Sequence, residues 1–140
     1  MQNLDVVHAL ERALLLDAAN EVISAYLFGS YSLGRAHRES DVDLGVLLRR
    51  SHYPTARERF EAGLRLAVQL RPATGREVDV VVLNDAPPLL ARRIVTASQR
   101  LLCSDSEADH AVVRDVQLRA ADVAPFLRRM QPLKLAAIAR

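Results

Sequence analysis

The stretch LFGSYSLGRAHRESDVDL, residues 27–44, decides how this chain is read. An apolar run stops at Gly29-Ser30, and ten residues later Asp41 and Asp43 flank a single valine at the start of another apolar run. In a plain structural strand two like charges on one face repel and weaken its pairing. Their presence implies that something cationic is expected between them.

The flanks supply the elements that carry these residues. EVISAYLF (21–28) is rich in β-branched and aromatic residues and stops at Gly29, as a strand does; DVDLGVLL (41–48) reads as a second strand. Between them SYSLGRAHRES is polar and glycine-containing, hence a loop with at most one short helical turn. Upstream, Val7, Leu10, Leu14 and Ala18 recur at helical spacing from Asn3, a plausible N-cap, to about Ala19. Downstream, PTARERFEAGLRLAVQL (54–70) opens on Pro54 and sets Phe60, Leu64 and Ala67 on one helical face, with RPATG breaking the chain after it. EVDVVVL (77–83) is a nearly continuous apolar run, the pattern of a central strand covered on both faces. APPLLARRIVTASQRLL (86–102) then predicts a helix presenting Leu90, Ile94, Ala97 and Leu101, and a last helix is expected from Asp109 to about Val123, ahead of Pro125, with a short helical piece after it. The order α-β-β-α-β-α-α predicts an α/β (α+β) fold with a small mixed sheet flanked by helices.

Composition limits the rest. At 140 residues the chain is the size of one domain, with half its residues hydrophobic and about a quarter charged, which argues against disorder. A net charge of +2, scattered arginines and few aromatics give no reason to expect direct nucleic-acid binding. Cys103 is the sole cysteine, which excludes an internal disulfide; it reads as a small core residue at the end of a helical run. The first 17 residues lack the basic and apolar segments of a signal peptide, and no apolar run approaches the roughly 20 residues of a membrane span. A soluble, cytoplasmic protein without a membrane partner is expected.

Alternation along a strand points Asp41 and Asp43 the same way, about 6.5–7 Å apart, with Val42, Leu44, Val46 and Leu48 facing the core. Asp79 is set by the same rule on the opposite face from Val78 and Val80. If the two strands are neighbours, three carboxylates converge, at a cost of several kcal/mol unless a cation compensates them. Hard oxygen donors with open positions suit Mg²⁺, which prefers a few carboxylates, waters and substrate phosphates. A glycine directly after a strand lets a ligand approach the backbone, and Ser30 with the amides after it can donate to phosphate oxygens. Together these describe a site for a nucleoside triphosphate, where two metals about 3.5–4 Å apart would activate a hydroxyl and stabilise the departing pyrophosphate.

This combination resembles the nucleotidyltransferase (polymerase β-like) superfamily, whose signature is hydrophobic-Gly-Ser, about ten residues, Asp-x-Asp and a later strand Asp. The length, and VDVVVLNDAPPLLARRIVTASQRLL in and after the third strand, make it similar to the minimal nucleotidyltransferases over residues 20–103, within a single domain of residues 1–140 whose C-terminal helices would occupy 105–140. The resemblance implies an antitoxin that transfers AMP from ATP to a tyrosine hydroxyl of a HEPN-domain ribonuclease toxin and silences it, in a hetero-oligomer with that partner. It implies Asp41, Asp43 and Asp79 as catalytic metal ligands for Mg²⁺, Asp79 also helping to deprotonate the acceptor. Gly29 would give room to the triphosphate, Ser30 would bind it, and Ser40 would orient the loop. Arg35 and Arg38 could neutralise phosphate charge or be ordinary solvated loop residues, and His37 could touch phosphate. Ser98 departs from the glycine usual in relatives, at a helix end and away from the chemistry.

Two other readings stay open. One is a small-molecule nucleotidyltransferase of the aminoglycoside type, which usually carries a further substrate domain. The other is a non-catalytic antitoxin that blocks its partner by docking, with an idle metal site. The apolar residues Phe126, Leu127, Met130, Leu133, Leu135 and Ile138 form either a partner-binding surface or a last packed helix.

Overall fold

The computed structural model describes residues 3–18, 20–29, 41–96 and 98–128. A helix α1 (Asn3–Asp17) leads into strand β1 (Val22–Phe28); β2 (Val42–Leu48), helix α2 (Ala56–Thr74) and β3 (Val78–Val82) follow. A 3₁₀ turn (Leu83–Asp85), helix α3 (Pro88–Thr96), strand β4 (Gln99–Cys103) and helix α4 (Ser106–Arg128) complete the order. The sheet runs β3-β2-β1-β4. β1 is antiparallel to both its neighbours, and β2 pairs parallel with β3. This is the expected small mixed sheet between helices. Among the described residues no helix is long and apolar enough to cross a membrane.

Strand alternation sorts the core into two layers. Val42, Leu44, Val46 and Leu48 join Leu10 and Leu14 of α1 and Leu66 and Leu70 of α2 on one face, as the period-two reading requires. Tyr26 and Leu47 lie on the other, beneath Ala91 and Ile94 of α3 and Val116 of α4. Gly45 shares that second face with Asp43 and Leu47, and a Cβ there would lie 2.7 Å from the Ile94 side chain. Its missing side chain lets α3 close onto β2 one pleat from Asp43.

Several sequence expectations are corrected. The 99–103 stretch is not the tail of a helix but β4, pairing with β1. Helix α3 stops at Thr96, and the Ser98 hydroxyl donates back to the Ile94 carbonyl in the turn that follows. Cys103 is therefore a half-buried strand residue, and Leu101 belongs to a strand; Ala97 lies outside the described residues. Among the described residues β3 is an edge strand, its apolar run reflecting helical cover rather than strands on both sides. α2 continues through Pro72 to Gly75, which takes φ +67° and donates its N–H to Arg71 O at 2.8 Å. α2 also turns a different face inward: Ala62, Gly63, Leu66 and Leu70 are inside, while Phe60 is 63 % and Leu64 55 % exposed. Small residues at 62 and 63 let the helix axis approach β3, with Gly63 over Val80 and Val82. Finally, α4 begins at Ser106 and carries through Pro125 to Arg128, giving up one backbone hydrogen bond at the proline; Asn3 is already helical rather than a cap. Residues 129–140, including Met130, Leu133, Leu135 and Ile138, lie outside the described residues.

Polar contacts hold the layers in place. The Tyr26 hydroxyl donates to Asp109 Oδ1 at 2.5 Å, and Arg100 Nη1 donates to Asp109 Oδ2 at 3.1 Å, tying β1, β4 and α4 together. Burial and the Asp109 hydrogen bond push the Tyr26 phenol well above its ordinary pKa. Asn84 receives Leu48 N at 2.9 Å and donates to Leu48 O at 3.0 Å, closing the end of β2 with an amide side chain. Arg59, only 4 % exposed, donates to both carboxylate oxygens of Asp85 at 2.8 and 2.9 Å and to Tyr53 O at 3.0 Å. Its hydrogen bonds hold the Asp85 carboxyl below the usual carboxylate range. A carboxylate with a depressed folded-state pKa stabilises the fold above its unfolded pKa and loses that contribution as pH falls. Asp85→Asn is therefore expected to destabilise by about 2–3 kcal/mol at pH 7, leaving a buried guanidinium without its anion. The gap to wild type should close as pH drops below about 4 in denaturant melts.

Candidate active site

Three chain segments end at one corner of the sheet. β1 delivers Phe28 and Gly29; β2 begins opposite them, with Phe28 paired to Asp43; and β3 lies beside β2 with Asp43 directly paired to Asp79. Parallel neighbours in register put both side chains on the same face, so the conditional expectation that the two Asp-bearing strands adjoin is met. Asp41 precedes β2 by one residue and is exposed, as is Asp79, whereas Asp43 is half-buried between them.

Gly29 has φ +73°, a conformation that favours glycine, and a Cβ built on it would run into Asp43 Oδ2. The backbone at the end of β1 thus lies against the central carboxylate. The sequence signal of a glycine directly after the strand corresponds to a steric demand, and Asp43 is the residue that makes it.

Burial, then the negative charge of Asp79, then that of Asp41, push the Asp43 carboxyl above its ordinary range. Among the described residues no group of three acidic, imidazole or thiol side chains is drawn together tightly enough to enclose an ion. The carboxylates are therefore repelling neighbours at a solvent-open corner, not a closed cage. The donor set, three hard-oxygen carboxyl groups of like charge, fits a divalent cation that keeps water and phosphate ligands. Ser30, Arg35, His37, Arg38 and Ser40 lie outside the described residues. Of the other histidines, His8 and His110 are exposed on α1 and α4, and His52 stacks obliquely near Tyr53, away from the carboxylates. Sequence reading passed over Gly45; its place two residues after Asp43, on the same pleat, was the available signal.

The chain that carries this corner has known relatives. The family description for the polymerase beta nucleotidyltransferase domain matches residues 13–107, and the chain belongs to that family. Among characterised relatives, the protein adenylyltransferase MntA of Shewanella oneidensis strain MR-1 is 32 % identical over 105 residues, covering 75 % of this chain and 71 % of MntA. Among solved structures, a toxin–antitoxin complex with AMP-PNP includes a chain that superposes with TM-score 0.63 at 26 % identity, over 87 % of this chain and 95 % of that one. A complex of tri-AMPylated Shewanella oneidensis HEPN toxin with MNT antitoxin shares the fold, with TM-score 0.58 at 24 % identity over 91 % of this chain and 97 % of its counterpart.

Two variants test the geometry. Gly29→Ala should lose about 1–3 kcal/mol of stability, from the strained φ and the displaced carboxylate. Asp43→Asn should do the opposite. A carboxyl whose folded-state pKa is raised penalises the fold once it ionises, so removing its charge should raise Tm by a few degrees at pH 7. The difference should vanish as pH is lowered through the carboxylate range, where both proteins carry a neutral group at this position.

Proposed function

We propose that this chain, acting as one nucleotidyltransferase domain, is a protein adenylyltransferase of the antitoxin type. It would transfer AMP from ATP to a tyrosine hydroxyl of a HEPN-domain toxin, in the cytoplasm. The observation that carries the reading is the Asp43–Asp79 register, with Asp41 alongside and Gly29 pressed against Asp43. Its likeness to MntA, a protein adenylyltransferase, gives the nucleotide and the acceptor class.

In this reading Asp41, Asp43 and Asp79 hold Mg²⁺, which when bound supplies the positive charge that neutralises triphosphate and pyrophosphate. Gly29 leaves room for the phosphates beside the carboxylates, Ser30 and the backbone after it donate to phosphate oxygens, and Ser40 and Arg35 support the same loop. The acceptor oxygen attacks the α-phosphorus in line; the bond from that phosphorus to the bridging oxygen breaks, and pyrophosphate leaves with the electron pair. The hydroxyl proton passes to Asp79, which is exposed. No covalent enzyme intermediate is required: positioning and charge neutralisation carry the reaction.

The test is the intact mass of the neighbouring gene's product after incubation with this chain, ATP and Mg²⁺. Mass added in AMP steps is expected, and an Asp41→Ala/Asp43→Ala double variant should lose at least about 10³-fold in rate. A stable complex that forms with no added mass would instead identify a docking antitoxin, and AMP appearing on an aminoglycoside rather than on protein would identify a small-molecule enzyme.

A further inference from the structure

The outer side of β3 combines three features that the reaction as described does not use. β3 hydrogen-bonds to β2 alone, so its other edge presents backbone amides and carbonyls with no strand partner among the described residues. Its sequence, Val-Asp-Val-Val-Val, has neither proline nor lysine to guard that edge. Alongside runs an open groove of about 420 Å³, lined by Phe60 and Leu64 of α2, Val80, Val81 and Val82 of β3, and Ala86. Phe60, Leu64 and Val68 succeed one another by helical turns and are 63 %, 55 % and 72 % exposed, an apolar face that the described residues leave uncovered.

We propose that this edge and groove bind the acceptor protein as an extended segment, adding a strand to β3 and delivering its hydroxyl to the carboxylates. The inference rests on the adenylyltransferase reading above and names the surface that this reading needs. Continuity with the reactive corner identifies the occupant. The groove floor and Asp79 belong to the same five-residue strand, and β2 already occupies its other side. A strand added along this edge would set one of its residues beside the exposed Asp79, on the carboxylate face.

Strand periodicity then sets the acceptor's pattern. A residue opposite Asp79 points to the carboxylate face, whereas residues opposite Val80 and Val82 point to the α2 side, where Phe60 and Leu64 lie. The modified residue should accordingly have apolar neighbours one position away, seated in the groove, with main-chain hydrogen bonds supplying affinity and these side chains specificity.

The experiment pairs a variant with a variant-free measurement. Phe60→Glu/Leu64→Glu places two charges on an already exposed helix face, far from the carboxylates in sequence, and should fold with a Tm near that of wild type. With the protein it adenylylates as acceptor, its KM for that protein should rise at least about ten-fold while KM for ATP stays within about two-fold. In the wild type, hydrogen exchange at the amides of residues 80–82 should slow when the acceptor is added. Unchanged acceptor KM in a folded double variant, or no protection at 80–82, overturns the docking proposal while leaving AMP transfer standing. Protection at 80–82 that appears on self-association alone, with a wild-type dimer becoming monomeric in the double variant and transfer unaffected, makes the face a seam between two copies and equally overturns it. A wild type that binds AMP-PNP but transfers no AMP to protein overturns the functional reading instead.

Discussion

The parallel pairing of β2 with β3 in the register that sets Asp43 beside Asp79 is the constraint on which the rest of the molecule depends. A parallel pair needs a crossover, and α2 supplies it, spanning Ala56–Thr74 and packing its small-residue side on β3. A one-residue slip would send Asp43 into the layer of Leu10 and Leu66 and bring Leu44 out to solvent. The hydrophobic contacts of Val42, Leu44 and Val46 thereby fix the position of the carboxylates. Packing energy on one face of the sheet holds repelling charges on the other.

That division of labour recurs at each end of the sheet. At the reactive corner the strands end in a glycine and in acidic residues, and the backbone of Gly29 is driven against a carboxylate. At the opposite end the polar groups are mutually satisfied: Asn84 completes both hydrogen bonds of Leu48, and Arg59 meets Asp85 with two. Asp43, by contrast, is pushed up by burial and by two neighbouring carboxylates, as expected where a ligand is to provide the compensation.

The local signals in the sequence were strong where one force dominated. Alternation in DVDLGVLL gave the face of every residue in β2, because both layers of the core enforce it. The glycine after β1 was legible as a turn, though not the identity of the side chain it avoids. Ambiguity arose where two periods fit the same residues. The run ASQRLL continues the apolar spacing of α3, yet its pairing with β1 wins, since β1 would otherwise be left as an open edge. Phe60 and Leu64 read as a buried face because size and hydropathy are local properties. Which side of α2 meets the sheet is decided by Gly63, whose missing side chain lets Val82 come close, and that is a tertiary fact. The edge position of β3 was hidden for a related reason: helical cover produces the same apolar composition that flanking strands do.

The Arg59–Asp85 pair has a consequence for the groove beside it. Asp85 lies in the groove's lining and Arg59 sits on the helix that forms its wall, so two hydrogen bonds from Arg59 tie that wall to the turn after β3. A partner entering such a slot finds its width already set, with little ordering entropy left to lose on the protein's side. Recognition there would behave as rigid-body complementarity, with association rates governed by collision and alignment and not by a slow opening step.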